Sequence, residues 1–124
     1  TWLKEEGKGL VEVIEANKVE STEMRELLTT FLSPMLAQHI DCLVLGCTHY
    51  PYLIPVLKEI LPDDITIIDS GEAVARQTKT ILERNGLLAP EMNHPKHVLY
   101  TNKDVDILKS FVDGPNCEVS YLEF

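Results

Sequence analysis

"DCLVLGCTHYPYL", residues Asp41 to Leu53, decides how the rest of the chain is read. Its first half, Asp41 to Gly46, is an apolar run without polar alternation, which is how a strand buried on both faces reads. The run stops at Gly46-Cys47-Thr48-His49, and Pro51 then favours the start of a helix over Tyr52 to Leu61. A thiol, a hydroxyl and an imidazole thus stand in a row where a strand hands over to a helix. In parallel α/β sheets, ligands bind at such strand ends.

Working outward, "ITIID" (Ile65 to Asp69) reads as a second buried strand, and "HVLYT" (His97 to Thr101) and "CEVSYLEF" (Cys117 to Phe124) as two more. Between them lie helical patterns. Asp69 or Ser70 caps a helix running to about Asn85, with Val74, Thr78, Ile81 and Leu82 on its inner face and Gly86 closing it. Asn102 caps another, with Val105, Leu108 and Val112 on one side. "APEMNHP" (Ala89 to Pro95) is a loop and "DGPN" (Asp113 to Asn116) a turn. Upstream, "LVEVIEANKVE" (Leu10 to Glu20) reads as a short helix or strand. Ser21 or Thr22 caps a helix to about Gln38, with Leu27, Leu28, Phe31, Leu32 and Leu36 as its apolar face and Pro34 expected to kink or split it. Alternating strands and helices predict an α/β fold, a parallel sheet flanked by helices.

Composition narrows the partners. The 124 residues carry 44% hydrophobic and 25% charged residues, enough for one core and no sign of disorder. The net charge of −9, with no Lys/Arg cluster to offset it, argues against nucleic acid. No apolar stretch has the length of a membrane span, and no signal peptide is seen. Cys42, Cys47 and Cys117 are odd in number and lack paired spacing, so they read as free thiols in a reducing, cytoplasmic setting. The start "TWLKEEGKG" lacks methionine, as in a fragment, a processed product or a trimmed chain.

Buried thiols are common core residues, and that reading suits Cys42 and Cys117. Cys47 differs by position, since amide donors and a helix start favour a thiolate there. His49 is placed to share a proton with it, and Thr48 to offer a hydroxyl and an amide to an anion. A cysteine phosphatase would need an arginine a few residues after the thiol, and none follows. Zinc on Cys42, Cys47 and His49 lacks tight pairing or a fourth ligand, so no metal is expected. "DSGEA" (Asp69 to Ala73) has one glycine and no lysine, and reads as a helix cap rather than a phosphate loop. His39, His94 and His97 read as structural or surface residues. Glu12 and Glu15 belong to a charged stretch whose default is a solvated face.

At "LVLGCTHYPYL" the sequence resembles the glutamate racemases, within the aspartate/glutamate racemase superfamily, and "IIDSGEAVARQ" resembles the segment that follows there. The resemblance runs from about Ser21 to the end and is to the C-terminal portion of a two-lobed racemase. It implies a lobe portion over about 1–70 and a return segment completing the other lobe over about 71–124. It also implies cofactor-independent interconversion of L- and D-glutamate for peptidoglycan, by two cysteines on opposite faces of the α-carbon. Cys47 matches the cysteine that deprotonates the L-enantiomer. Thr48 matches a residue that binds the substrate's polar groups, and His49 the imidazole that assists the cysteine. A glutamate near that histidine has a counterpart in Glu15, but the flanking residues match poorly and Glu15 is left out of the site.

The family's first cysteine, in an Asn-Thr motif, and its N-terminal Asp-Ser have no counterpart in this chain. Glutamate and the missing N-terminal half are therefore the implied partners, and a homodimer is allowed. Other readings are an aspartate or other amino-acid racemase, a non-catalytic binding domain of the same fold, and a Cys-His hydrolase with Cys47 as nucleophile.

Overall fold

The computed structural model describes residues 2–90, 95–112 and 114–124. In chain order the elements are α1 (Leu10–Glu15), α2 (Thr22–Leu36), β1 (Cys42–Val44), a 3-10 turn (Tyr50–Leu53), α3 (Ile54–Ile60), β2 (Thr66–Ile68), α4 (Gly71–Arg84), β3 (His97–Thr101), α5 (Val105–Phe111) and β4 (Cys117–Tyr121). The chain divides into two compact units, Thr1–Gln77 and Thr78–Phe124, and the division falls within α4. The α/β class is as the sequence predicts, with parallel strands and flanking helices. The strands form two separate parallel pairs, β1 with β2 and β3 with β4, rather than one sheet.

The first unit holds the core. Leu10, Val13 and Ile14 of α1, Met24, Leu28 and Leu32 of α2, and Leu53, Val56 and Leu57 around α3 are buried, with Leu45 and Leu61. On α2 the spacing Met24, Leu28, Leu32 is one residue every turn, so a single stripe reaches inward. Ser21 caps this helix, its Oγ accepting from the Met24 amide at 3.1 Å, an arrangement worth ~1 kcal/mol. Pro34 neither ends nor splits α2. It costs the bond to the Thr30 carbonyl, but only two helical residues follow it, and the Ala37 amide closes on the Ser33 carbonyl at 3.0 Å. Arg25 on α2 pairs with Glu59 on α3 at 2.7 Å, an exposed contact worth ~0–1 kcal/mol.

α1 needs two left-handed residues at its borders. Gly9 caps its start at φ 86°, and Asn17 follows its end at φ 56°. The Lys18 amide then reaches back to the Val13 carbonyl at 3.1 Å, closing the last turn. The ambiguous Leu10–Glu20 stretch is therefore a short helix followed by a turn.

The expectation that β1 and β2 are buried on both faces is corrected. Val44 is 51% exposed and Ile68 46%. Both strands have three residues, and none of the six is fully buried. α4 likewise has no buried inner face, and Val74 is 59% exposed. Its ends are as predicted: the Gly71 amide donates to Asp69 Oδ1 at 2.9 Å, and Gly86 is left-handed at φ 65°.

In the second unit β3 and β4 pair in parallel from His97↔Cys117 to Thr101↔Tyr121. The cap of α5 is Asp104, not Asn102. Asp104 Oδ1 accepts from the Asp106 amide at 2.8 Å, while Asn102 Nδ2 donates to the Phe124 carbonyl at 3.2 Å. An aspartate one residue before the helix outcompetes an asparagine three residues before it because only the nearer carboxylate reaches the first free amides. Val105, Leu108 and Val112 are half-buried, as their spacing predicts. Exposed Lys96 and Glu118 pair across the strands; the shared hydrogen bond and charge hold the lysine above, and the carboxyl below, its ordinary pKa. The predicted loop at 89–95 and turn at 113–116 lie partly outside the described residues, which omit 91–94, His94 among them, and 113. Among the described residues no helix is long and apolar enough to cross a membrane.

Candidate functional site

β1 delivers the site turn. The Leu45 amide donates to the Ile68 carbonyl at 2.8 Å, extending the β1–β2 ladder one step past Val44. Gly46 follows, exposed, with nothing within 4 Å of the place a Cβ would occupy, so the backbone here is open to an incoming group. The chain then turns, the Tyr50 amide donating to the Cys47 carbonyl at 3.1 Å and the Tyr52 amide to the His49 carbonyl at 3.2 Å. Pro51 and Pro55 sit in the first positions of the 3-10 turn and of α3, where a missing amide costs nothing.

Cys47 is half-buried and unoxidised, as are Cys42 and Cys117. Thr48 is exposed and His49 half-buried. Cys47, Gly46 and Tyr50 lie on the wall of an open groove of about 1230 Å³, together with Cys42, Val44 and Met35. The structure thus brings the three predicted site residues onto one turn and puts the thiol on a concave surface. A groove that mixes apolar walls with a few polar groups is the ordinary setting for a small ligand.

The residue that sequence reasoning set aside is Glu15. Its Oε1 lies 3.3 Å from His49 Nε2, with both side chains about one-third exposed. The solvated-face reading of Glu15 is therefore corrected: α1 turns it toward the site turn, while Glu12 stays exposed. The pair spans 34 positions of chain, so no local spacing could reveal it; the one available signal was the carboxylate's counterpart in the resembled family. A carboxylate on one ring nitrogen fixes which tautomer the imidazole presents at the other.

Tyr50 also joins the site. Its hydroxyl donates to the Gly7 carbonyl at 3.4 Å. Burial pushes its phenol above the ordinary value; negative charge at Cys47 and, more weakly, at Glu12 pushes the same way, and hydrogen bonding to the Gly7 backbone pulls against them. Tyr50 therefore remains a neutral donor across the working range of proteins.

No family model matches the chain. It is 46% identical to the glutamate racemase of Pseudomonas syringae pv. tomato over 97 residues, 78% of this chain and 34% of that protein. Among solved structures, a glutamate racemase of Bacillus anthracis superposes on 94% of this chain and 45% of its own length, with a TM-score of 0.78 and 32% identity. The glutamate racemase of Thermus thermophilus, solved in complex with β-chloro-D-alanine, covers 91% of this chain and 44% of its own, with a TM-score of 0.72 and 26% identity. Fold and site turn together place the chain among α/β proteins of the racemase fold. Within that class it belongs to the glutamate racemase family, of whose Pseudomonas syringae member it spans about a third.

Proposed function

We propose that the chain is the C-terminal portion of a glutamate racemase, a cofactor-independent isomerase that interconverts L- and D-glutamate in the cytoplasm and so supplies D-glutamate for peptidoglycan. The observation that carries this reading is the turn Cys47-Thr48-His49, with Cys47 on the groove wall and His49 held by Glu15. Residues 1–70 form part of one lobe and 71–124 the return segment of the other.

In this reading the Cys47 thiolate takes the α-proton of L-glutamate. The pair of electrons left on the α-carbon is spread into the adjoining carboxylate, and a second cysteine, outside this chain, returns a proton to the opposite face. The α-proton is very weakly acidic, so the site must meet charge as it develops and keep water out. Thr48, exposed at the turn, binds the substrate's polar groups, and the Glu15-held imidazole of His49 shuttles the proton to and from Cys47. The Thermus thermophilus enzyme's complex with β-chloro-D-alanine supports a small amino-acid ligand.

The full-length protein in D2O is expected to exchange the α-proton of L-glutamate, seen by loss of its NMR signal, and L-aspartate is expected to exchange far more slowly. Equal or faster exchange of aspartate would move the reading to an aspartate racemase. No exchange of either would leave a binding domain. The 124-residue chain alone is expected to racemise neither, since it has no donor for the opposite face; turnover by the pure chain would overturn the two-cysteine reading.

A further inference from the structure

α1 is fastened to the site turn at both ends. At its end, Glu15 holds His49 at 3.3 Å. Ahead of its start, the Gly7 carbonyl accepts two donors, the Leu10 amide at 3.2 Å and the Tyr50 hydroxyl at 3.4 Å. One carbonyl thus joins the first turn of α1 to the residue that closes the Cys47 turn. The contact is tight on the steric side as well. A Cβ on Gly7 would stand 2.6 Å from the Tyr50 hydroxyl and 2.4 Å from Leu10 Cδ1, so neither side chain can stay where it is if Gly7 gains a methyl. Leu10 is itself 4% exposed and belongs to the core, which leaves Tyr50, half-buried at the groove, as the group with room to move. Any displacement of Tyr50 is passed to Cys47, because the Tyr50 amide is bonded to the Cys47 carbonyl.

We infer that Gly7 and Tyr50 form a second clamp, alongside Glu15 and His49, that sets the position of Cys47, making Tyr50 a positioning residue for the reaction. The inference rests on the racemase reading for its kinetic consequence and on geometry alone for its effect on the thiol. Tyr50 does no proton chemistry here; its hydroxyl serves as a fixed donor.

The test compares Gly7→Ala, Tyr50→Phe and the double variant in the full-length protein. Two readouts are taken: kcat and KM for L-glutamate, and the alkylation rate of each of Cys42, Cys47 and Cys117 by iodoacetamide, resolved by peptide mass spectrometry. Gly7→Ala is expected to lower kcat by about 10- to 100-fold, the scale of an ångström-sized misplacement. KM should stay within about twofold, because the lost interaction is one felt in the transition state. The alkylation rate of Cys47 is expected to change while those of Cys42 and Cys117 hold. Tyr50→Phe removes the hydroxyl bond without adding bulk and is expected to shift both in the same sense, and the double variant to show no more than the larger single effect, because both substitutions break one contact.

Unchanged kcat and Cys47 alkylation in Gly7→Ala would overturn the clamp. So would three thiols moving together, which marks a general loosening, or effects that multiply in the double variant, which mark two independent sites. Should Gly7→Ala fail to fold, Tyr50→Phe alone is expected to shift Cys47 alkylation, and no shift overturns the proposal. A wild type that exchanges no glutamate sinks the racemase reading, while the alkylation rates still decide the clamp.

Discussion

Cys47→Ser in the full-length protein is expected to abolish α-proton exchange from L-glutamate while sparing much of the exchange from D-glutamate. A serine hydroxyl is far too weak an acid to supply an alkoxide at neutral pH, so the L-face base is lost. The second cysteine still reaches the proton of the D-enantiomer. Losing a positioned general base costs about 10²- to 10⁴-fold. The two enantiomers, followed separately in D2O by NMR, give the comparison. Collapse on the L side with D-side exchange retained assigns Cys47 to the L face. Collapse on the D side alone would exchange the two cysteines' roles, and exchange that survives from both enantiomers would remove Cys47 from the chemistry.

The largest effect on stability is expected from Leu57→Ala. Leu57 is 1% exposed and sits on α3, where the core of the first unit meets the helix that follows the site turn. Truncating a buried leucine removes its transfer free energy and leaves a cavity the neighbours only partly fill, about 2–5 kcal/mol. Urea unfolding of the full-length protein at fixed concentration should show the midpoint falling with the slope unchanged. A loss below about 1 kcal/mol would mean that Met24 and Leu53 collapse into the space and that the core is plastic there.

Much of this was legible in the residues. The corner at Gly46-Cys47-Thr48-His49 could be read because an apolar run, a glycine and a proline punctuate it locally, and the strands at 97–101 and 117–121 because β-branched and aromatic residues crowd them. What the chain hides is whatever depends on covering. Val44 and Ile68 have the composition of residues buried on both sides, yet about half of each is exposed, because sequence reports the burial a residue is suited to and not which segment supplies it. Caps failed at a distance of two residues, where Asp104 rather than Asn102 holds α5. Glu15 was hidden for another reason. Glutamates on short amphipathic helices are mostly solvated, and only the tertiary path that brings α1 beside the site turn singles this one out. The Gly7–Tyr50 contact is hidden in the same way, 43 residues apart.

The unequal burial of the two units has a kinetic consequence. Every fully buried side chain among the described residues lies in the first unit, and none in the second. The β3–β4 ladder is therefore held chiefly by its backbone hydrogen bonds, with little packed surface to lose when it opens. In the 124-residue chain, its amides should trade hydrogen for deuterium through small local openings, at rates insensitive to core substitutions such as Leu57→Ala. Amides of α2 and α3 should wait for the first unit to unfold as a whole, and so quicken with each kilocalorie removed from it.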